Sequence, residues 1–157
     1  MATMTPRLRR AARVVVLDEQ DRVLLLRYDG HGGFWALPGG SLEDGETYPQ
    51  AARRELREEL GAHDVTLGPH IAVRTSEHPV AGQPTRQVER YYLTHITTSQ
   101  LAAGDPTQPD EIQAHRWWTA AELHTTDQTV FPAGLADLLD TIRAGRIPPH
   151  PSNSPAD

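Results

Sequence analysis

Cysteine is absent from the 157 residues, and that one lack closes three routes at once. No disulfide framework can form, no thiolate can ligate zinc, and no cysteine can act as a nucleophile. Long apolar runs are also missing. The longest, Val14–Leu17 and Val23–Leu26, fall far short of the roughly 20 residues needed to span a bilayer. Positive charge is in deficit, with 15 Lys and Arg against 21 Asp and Glu and a formal net charge of −6. That balance argues against a protein built to grip a nucleic-acid backbone, so no stable nucleic-acid partner is expected. The opening MATMTPRLRRAA is basic, yet no signal-peptide apolar core follows it. The expectation is a soluble, cytoplasmic protein with no membrane partner, of a length that suits one domain with a real core.

What is present reads as alternating strands and helices. Residues 1–10 read as a flexible basic leader, and residues 146–157, RIPPHPSNSPAD, as a disordered Pro/Ser-rich tail. Between them lies one domain, residues 11–145. Ala12–Asp18 and Arg22–Tyr28 are β-branched and leucine-rich, separated by Glu19-Gln20-Asp21, which predicts a hairpin covered on both faces. Phe34–Pro38 leads extended into Gly39-Gly40. Val65–Leu67, His70–Thr75 and Gln87–Ile96 are further strand candidates. Ser76–Thr85 and Ser99–Pro109 are rich in turn residues and read as loops. Glu111–Trp118 is the last strand candidate and runs into a Thr119-x-x-Glu122 capping box. Pro132–Ala144 is an amphipathic helix with Leu135, Leu138, Leu139 and Ile142 on one face.

The stretch Gly40–Ala62, GSLEDGETYPQAARRELREELGA, carries the chemistry. Thr47 and Gln50 form a capping box, Pro49 falls in the first turn, and Gly61 marks the stop. Ala52, Leu56 and Leu60 make the core stripe. Glu55, Glu58 and Glu59 lie three and four residues apart and so share one side of the helix. Like charges at i,i+4 repel by about 0.2–0.5 kcal/mol each, and Arg54 offsets part of this through Glu58. Packing alone does not call for such a cluster, whereas a hard cation takes carboxylate oxygens as ligands. On the helical wheel Glu59 lies beside the core stripe and is expected to be the most enclosed of the three.

Read as a pattern, this stretch is Gly40, five residues, Glu46, seven residues, Arg54-Glu55-Leu56, one residue, Glu58-Glu59, one residue, Gly61. It resembles the signature of the Nudix hydrolases, as a MutT-like single-domain member. Every charged and glycine position is met. Ala62 alone departs, where the family has a larger aliphatic residue. The order of flanking elements extends the resemblance over roughly residues 10–145. The fold implied is α/β, a curved mixed β-sheet between helices in an α/β/α sandwich.

The activity implied is a metal-dependent pyrophosphohydrolase. It cleaves the diphosphate linkage of a nucleoside diphosphate or triphosphate derivative, such as ADP-ribose or a (deoxy)nucleoside triphosphate. By the resemblance Gly40 (through its carbonyl), Glu55, Glu58 and Glu59 are the expected ligands of Mg2+, with Mn2+ suited to the same oxygens. Glu55, Glu58 and Arg54 form the catalytic set, with Arg54 orienting the glutamates and Glu46 fixing the loop on the helix. A fourth carboxylate is often supplied from the loop before the last strand, and Glu111 is the candidate, with Asp110 second. Glu77 is an alternative source of a general base. Arg27, Arg74, Arg86 and Arg90 are candidates for holding phosphates or a ribose, and Phe34, Trp35, Tyr91 and Trp118 for stacking on a base. Homodimers are frequent on this fold. Two rivals share it: a non-catalytic nucleotide-binding sensor, and an isoprenoid-diphosphate isomerase, whose relatives use a cysteine that this chain lacks.

Overall fold

Strand β1 (Arg7–Leu17) is the spine of the molecule, and its apolar run is buried on both faces. Side chains alternate along a strand. Val15 and Leu17 therefore enter one core while Ala12, Val14 and Val16 enter the other. The computed structural model describes residues 5–102, 104 and 112–145. In chain order β1 is followed by β2 (Val23–Tyr28), β3 (Phe34–Ala36), β4 (Gly39–Ser41) and helix α1 (Tyr48–Leu60). Then come β5 (His70–Val80), β6 (Gln83–His95), α2 (Thr98–Ala102), β7 (Ala114–Trp118), α3 (Ala120–Thr125), β8 (Val130–Phe131) and α4 (Leu135–Arg143).

The sheet is mixed, in the order β5-β6-β1-β2-β3-β8, with β4 also on β1 and β7 also on β2. Helix α1 covers one face with Ala52, Leu56 and Leu60, and α3 and α4 cover the other with Leu123, Leu135 and Leu139. This is the α/β/α sandwich implied by the resemblance. Strands β1 and β6 run parallel in unbroken register from Arg7↔Thr85 to Leu17↔His95. By contrast β1 meets β2 only at Leu17↔Val23. The gap that opens beyond that point is taken by β4, with Gly39, Gly40 and Ser41 opposite Arg13, Ala12 and Ala11. Buried Asp18 holds the β1–β2 turn, accepting from the Gln20 and Arg22 amides and from Arg22 Nε at 2.7–2.9 Å.

Several expectations need correction. The strand begins at Arg7, so the last four residues read as a leader belong to the sheet. Ser76–Thr85 is the end of a long hairpin, because Ala81 and Gly82 turn the chain in two residues at φ 51° and 77°. Positive φ at both positions matches the right-handed twist of the flanking strands. Pro79 and Pro84 face each other there, on the edge strand and just ahead of the first β1 partner, so neither costs an interior bond. Val65–Leu67 is not a strand; nearby, Thr94 Oγ1 donates to Thr66 O and Gly68 N to Leu93 O. Thr98–Ala102 in the second turn-rich stretch is a short helix. The strand from Glu111 begins only at Ala114, and a further strand, β8, follows it. The last helix starts at Leu135 because Pro132, with a cis peptide bond to Phe131, ends β8 instead of opening the helix. Residues 146–157 lie outside those described.

Candidate active site

The site is built where α1 leaves the glycine turn. The Thr47–Gln50 capping box is formed in both directions, and Gly61 closes the helix at φ 65° in the left-handed region. These local bonds fix the rotation of α1, and its buried stripe then presses the helix on β1 and β4. Glu55 and Glu59 are left facing Gly40 and Gly39, and Glu58 lies beside them on Arg54. A methyl group at Gly40 would overlap the Glu55 carboxylate, so the two residues are in direct apposition. Gly39, at φ +144°, has no room for a side chain against the Ala12 carbonyl.

Arg54 is the hub of this cluster. It grips Glu46 through two bonds, Nε to Oε2 at 2.8 Å and Nη2 to Oε1 at 3.0 Å. Its Nη1 donates to Glu55 Oε1 at 3.0 Å and Glu58 Oε2 at 3.1 Å, and Nη2 also reaches Ser41 O at 3.0 Å. The hydrogen bond from Arg54 holds the Glu46 carboxyl below its usual range, and Glu46 in turn raises the affinity of Arg54 for its proton. Glu59 is held separately, accepting from Gly39 N at 2.8 Å and from the Tyr28 hydroxyl at 3.1 Å.

Glu59 is enclosed more deeply than Glu55, and the Glu55 side chain is less exposed than that of Glu58, 13% against 23%. Burial pushes the Glu59 carboxyl up to about 8, and repulsion from Glu55 adds to it. Burial also raises Glu55, against the pull of Arg54. Arg54 thus meets two of the three crowded carboxylates of α1, and Glu59 is held by Tyr28 and the Gly39 amide with the charge of Arg13 nearby. An all-oxygen donor set with surplus negative charge in a half-buried place fits a hard divalent cation. A second group of potential ligands, His124, Asp137 and Asp140, is exposed on α3 and α4 and shares none of this enclosure. Glu111 and Asp110 lie outside the described residues.

Gly39, Gly40 and Tyr28, which touch Glu59 and Glu55, line a cleft of about 660 Å³ where β1 and β2 part. One wall comes from β2, β3 and β8 and carries Tyr28, Phe34 and Phe131. The other comes from β1, β6 and β5 and carries Arg13, Glu89, Tyr91, Gln87 and Arg74. Arg13 donates to Glu89 at 2.8 Å across β1 and β6. Burial pushes the Tyr91 hydroxyl up to about 12, with Glu89 adding to it.

Of the residues expected to touch substrate, Phe34, Tyr91 and Arg74 line this cleft and the others do not. Trp35 is buried, edge-on to Trp118 at 5.4 Å, with its indole N–H on Gln128 at 2.8 Å. Trp118 is buried beside it, so both belong to the core. Arg27 lies 5.6 Å over the Trp35 ring, and Arg90 lies 4.4 Å over the Tyr48 ring on the α1 side of the sheet. Glu77 and Arg86 pair across β5 and β6 on the face opposite Arg74 and Glu89, away from the cleft. Tyr28, Phe131, Arg13 and Glu89 were not anticipated. A signal for Arg13 existed, because it is the single charge inside the apolar run Ala11–Leu17.

Acidic groups on a helix leaving a glycine turn, on a curved mixed sheet, define a class of enzymes that work on phosphoric anhydrides. The NUDIX domain family matches residues 7–139, and the chain belongs to it, as a hydrolase of phosphorus-containing acid anhydrides. It is 36% identical over 121 residues to a putative 8-oxo-dGTP diphosphatase 2 of Mycobacterium tuberculosis, covering 75% of this chain and 77% of that one. It is 37% identical over 97 residues to the nucleoside triphosphatase NudI of an Enterobacter species, covering 60% and 68%. The MutT protein of Methanosarcina mazei has the same fold, with a TM-score of 0.67 at 16% identity over 91% of this chain and 98% of that one. Among the described residues, no helix is long and apolar enough to cross a membrane.

Proposed function

We propose that this chain is a divalent-metal-dependent pyrophosphohydrolase that cleaves the diphosphate linkage of a nucleoside diphosphate or triphosphate derivative. The observation that carries this reading is the apposition of Glu55 to Gly40 and of Glu59 to Gly39, with Glu58 tied in through Arg54, beside a cleft that Gly39 and Gly40 line. Cleft volumes of about 300–1,000 Å³ are those that take small ligands. The names of the relatives, a nucleoside triphosphatase and an 8-oxo-dGTP diphosphatase, support nucleoside triphosphates as the first class to examine.

Gly40, Glu55, Glu58 and Glu59 would hold Mg2+, and Mn2+ suits the same donors; Glu111 is the proposed fourth carboxylate. When bound, the metal supplies neutralisation of phosphate charge and acidification of water. The protein supplies the rest. Arg54 keeps Glu55 and Glu58 at fixed positions through charge-assisted bonds, and Tyr28 with the Gly39 amide does so for Glu59. Glu58 is the most open of the three. Its Oε2 is held by Arg54, and its Oε1 is unbonded among the described residues, ready to take a proton from an attacking water.

The test is hydrolysis of a panel of ribo- and deoxynucleoside triphosphates, 8-oxo-dGTP, ADP-ribose and diadenosine tetraphosphate, with and without Mg2+. Metal-dependent release of nucleoside monophosphate is expected from at least one of them. Flat activity across the panel in both Mg2+ and Mn2+ overturns the reading, and binding without turnover would favour a sensor.

A further inference from the structure

The chain carries a formal net charge of −6, yet the cleft does not share it. Its lining holds Arg9, Arg13 and Arg74 against a single carboxylate, Glu89. Two of these arginines stand along the glycine turn. On β1, Arg13 is the partner of Gly39, and Arg9 donates from Nε to Ser41 Oγ at 2.9 Å, next to Gly40. The turn is therefore bracketed. Glu55 and Glu59 lie against it on the side of α1, and two guanidiniums lie along it in the cleft. A bound cation accounts for the acids and leaves the arginines unexplained.

A guanidinium offers five N–H donors in a planar fork. Arg54 spends all three of its nitrogens on Glu46, Glu55, Glu58 and Ser41. Arg13 and Arg9 each spend only Nε, on Glu89 Oε2 at 2.8 Å and on Ser41. Their Nη atoms form no hydrogen bond among the described residues. The Arg13 side chain is only 26% exposed, so water reaches those open donors in part. Glu89 cannot match the whole charge, because Arg74 stands opposite it on β5. Open forks on two cations suit an anion with several oxygens, as a phosphate has. A diphosphate linkage held by a metal already has its charge matched there. The guanidiniums are left to match charge beyond that linkage, and an uncharged sugar supplies none.

We infer that Arg9 and Arg13 hold one further phosphate beyond the linkage that is cut. The substrate is then a nucleoside triphosphate or a longer polyphosphate, in preference to a diphosphate joined to an uncharged sugar. This substrate class rests on the proposed pyrophosphohydrolase reading and adds to it the residues that make the selection. Losing a charge-assisted bond to phosphate costs about tenfold or more in affinity.

The experiment is calorimetric titration of the full chain, in excess Mg2+, with the α,β-methylene diphosphates and triphosphates of adenosine and guanosine, whose bridging carbon resists hydrolysis. For at least one base the triphosphate is expected to bind about tenfold or more tightly than the diphosphate. Arg13→Gln should lower that ratio about tenfold, and Arg13→Lys should keep part of it. Arg9→Gln changes an exposed side chain that the fold does not depend on, and it should lower the ratio as well. Arg143→Gln removes the same charge from α4, outside the cleft, and should leave the ratio unchanged. A wild-type ratio near one overturns the inference. So does a ratio that survives in both Arg9→Gln and Arg13→Gln, or one that Arg143→Gln lowers as much. These outcomes stand apart from the hydrolase reading. Metal-dependent turnover without such a ratio leaves hydrolysis standing and removes this subsite, and such a ratio with no turnover of any substrate does the reverse.

Discussion

Arg54 holds Glu46 by two parallel bonds, at 2.8 and 3.0 Å, so that a loop residue and a helix residue two turns along the chain form one rigid piece. The same guanidinium reaches the carbonyl of Ser41 and the carboxylates of Glu55 and Glu58. Removing it leaves several acceptors unmatched in a half-buried place. Arg54→Ala should lower unfolding free energy by about 1–3 kcal/mol in urea denaturation. Arg54→Lys keeps the charge without the planar fork and should fall between. Activity should drop in both.

Glu58→Gln keeps the size of the side chain and removes its charge. Because Glu58 is the least enclosed of the three acids, the fold should persist, with a melting temperature close to that of the wild type. Hydrolysis should fall by at least about a hundredfold, within the range of a lost acid–base group. Unchanged turnover would remove Glu58 from the catalytic set.

Glu59 gives a pH dependence of definite sign. Its carboxyl titrates near 4.5 in the unfolded chain and near about 8 in the metal-free fold, chiefly because it is buried. The folded state thus keeps the proton to higher pH. This group's contribution to stability is complete below pH 4.5 and is lost as pH rises through about 8. The metal-free melting temperature of Glu59→Gln should therefore decline less between pH 5 and 8 than that of the wild type. Added Mg2+ should raise the wild-type value more at pH 8 than at pH 5.

The two glycines should respond differently to alanine. At Gly39 the backbone sits at φ +144° and a methyl would meet the Ala12 carbonyl, so neither conformation nor space allows it. Gly39→Ala should cost about 2 kcal/mol or more of stability. At Gly40 the obstacle is the flexible end of Glu55. Gly40→Ala should cost less stability while weakening Mn2+ binding, measurable by electron paramagnetic resonance.

Ala81 sits in the left-handed region at φ 51° beside Gly82. Asparagine tolerates that conformation better than alanine. Ala81→Asn should stabilise the protein by about 0.5–1 kcal/mol in urea, with no effect on activity.

What was legible in the sequence was local. Helix α1 announces its own ends through Thr47, Gln50, Pro49 and Gly61, and its three glutamates follow from spacing alone. The turn at Ala81-Gly82 was missed because alanine lacks the asparagine or aspartate that marks such hairpins, and the nearby prolines read as loop. The aromatic candidates divided for a different reason, Phe34 and Tyr91 lining the cleft and Trp35 and Trp118 entering the core. Trp35 and Phe34 are neighbours on one strand, and only the pairing of β3 with β2 and β8 decides which ring enters the core and which faces the cleft. Phe131 reaches that wall through a two-residue strand too short to leave a periodic signal.

The divergence of β1 from β2 has a consequence for how this enzyme can change. On one edge β1 carries the glycines that face the acids, and on its other edge it carries β6 with Gln87 and Glu89. Ala11, Ala12 and Arg13 of this single strand thus pair with the glycine turn on one edge and with β6 on the other. Phe131 and Gln87 lie on the walls of the cleft and share no hydrogen bond with Arg54 or its carboxylates among the described residues, so the walls can change shape while that cluster keeps its mutual positions. The shape of the cleft and the geometry of the acid cluster are therefore separable by single substitutions.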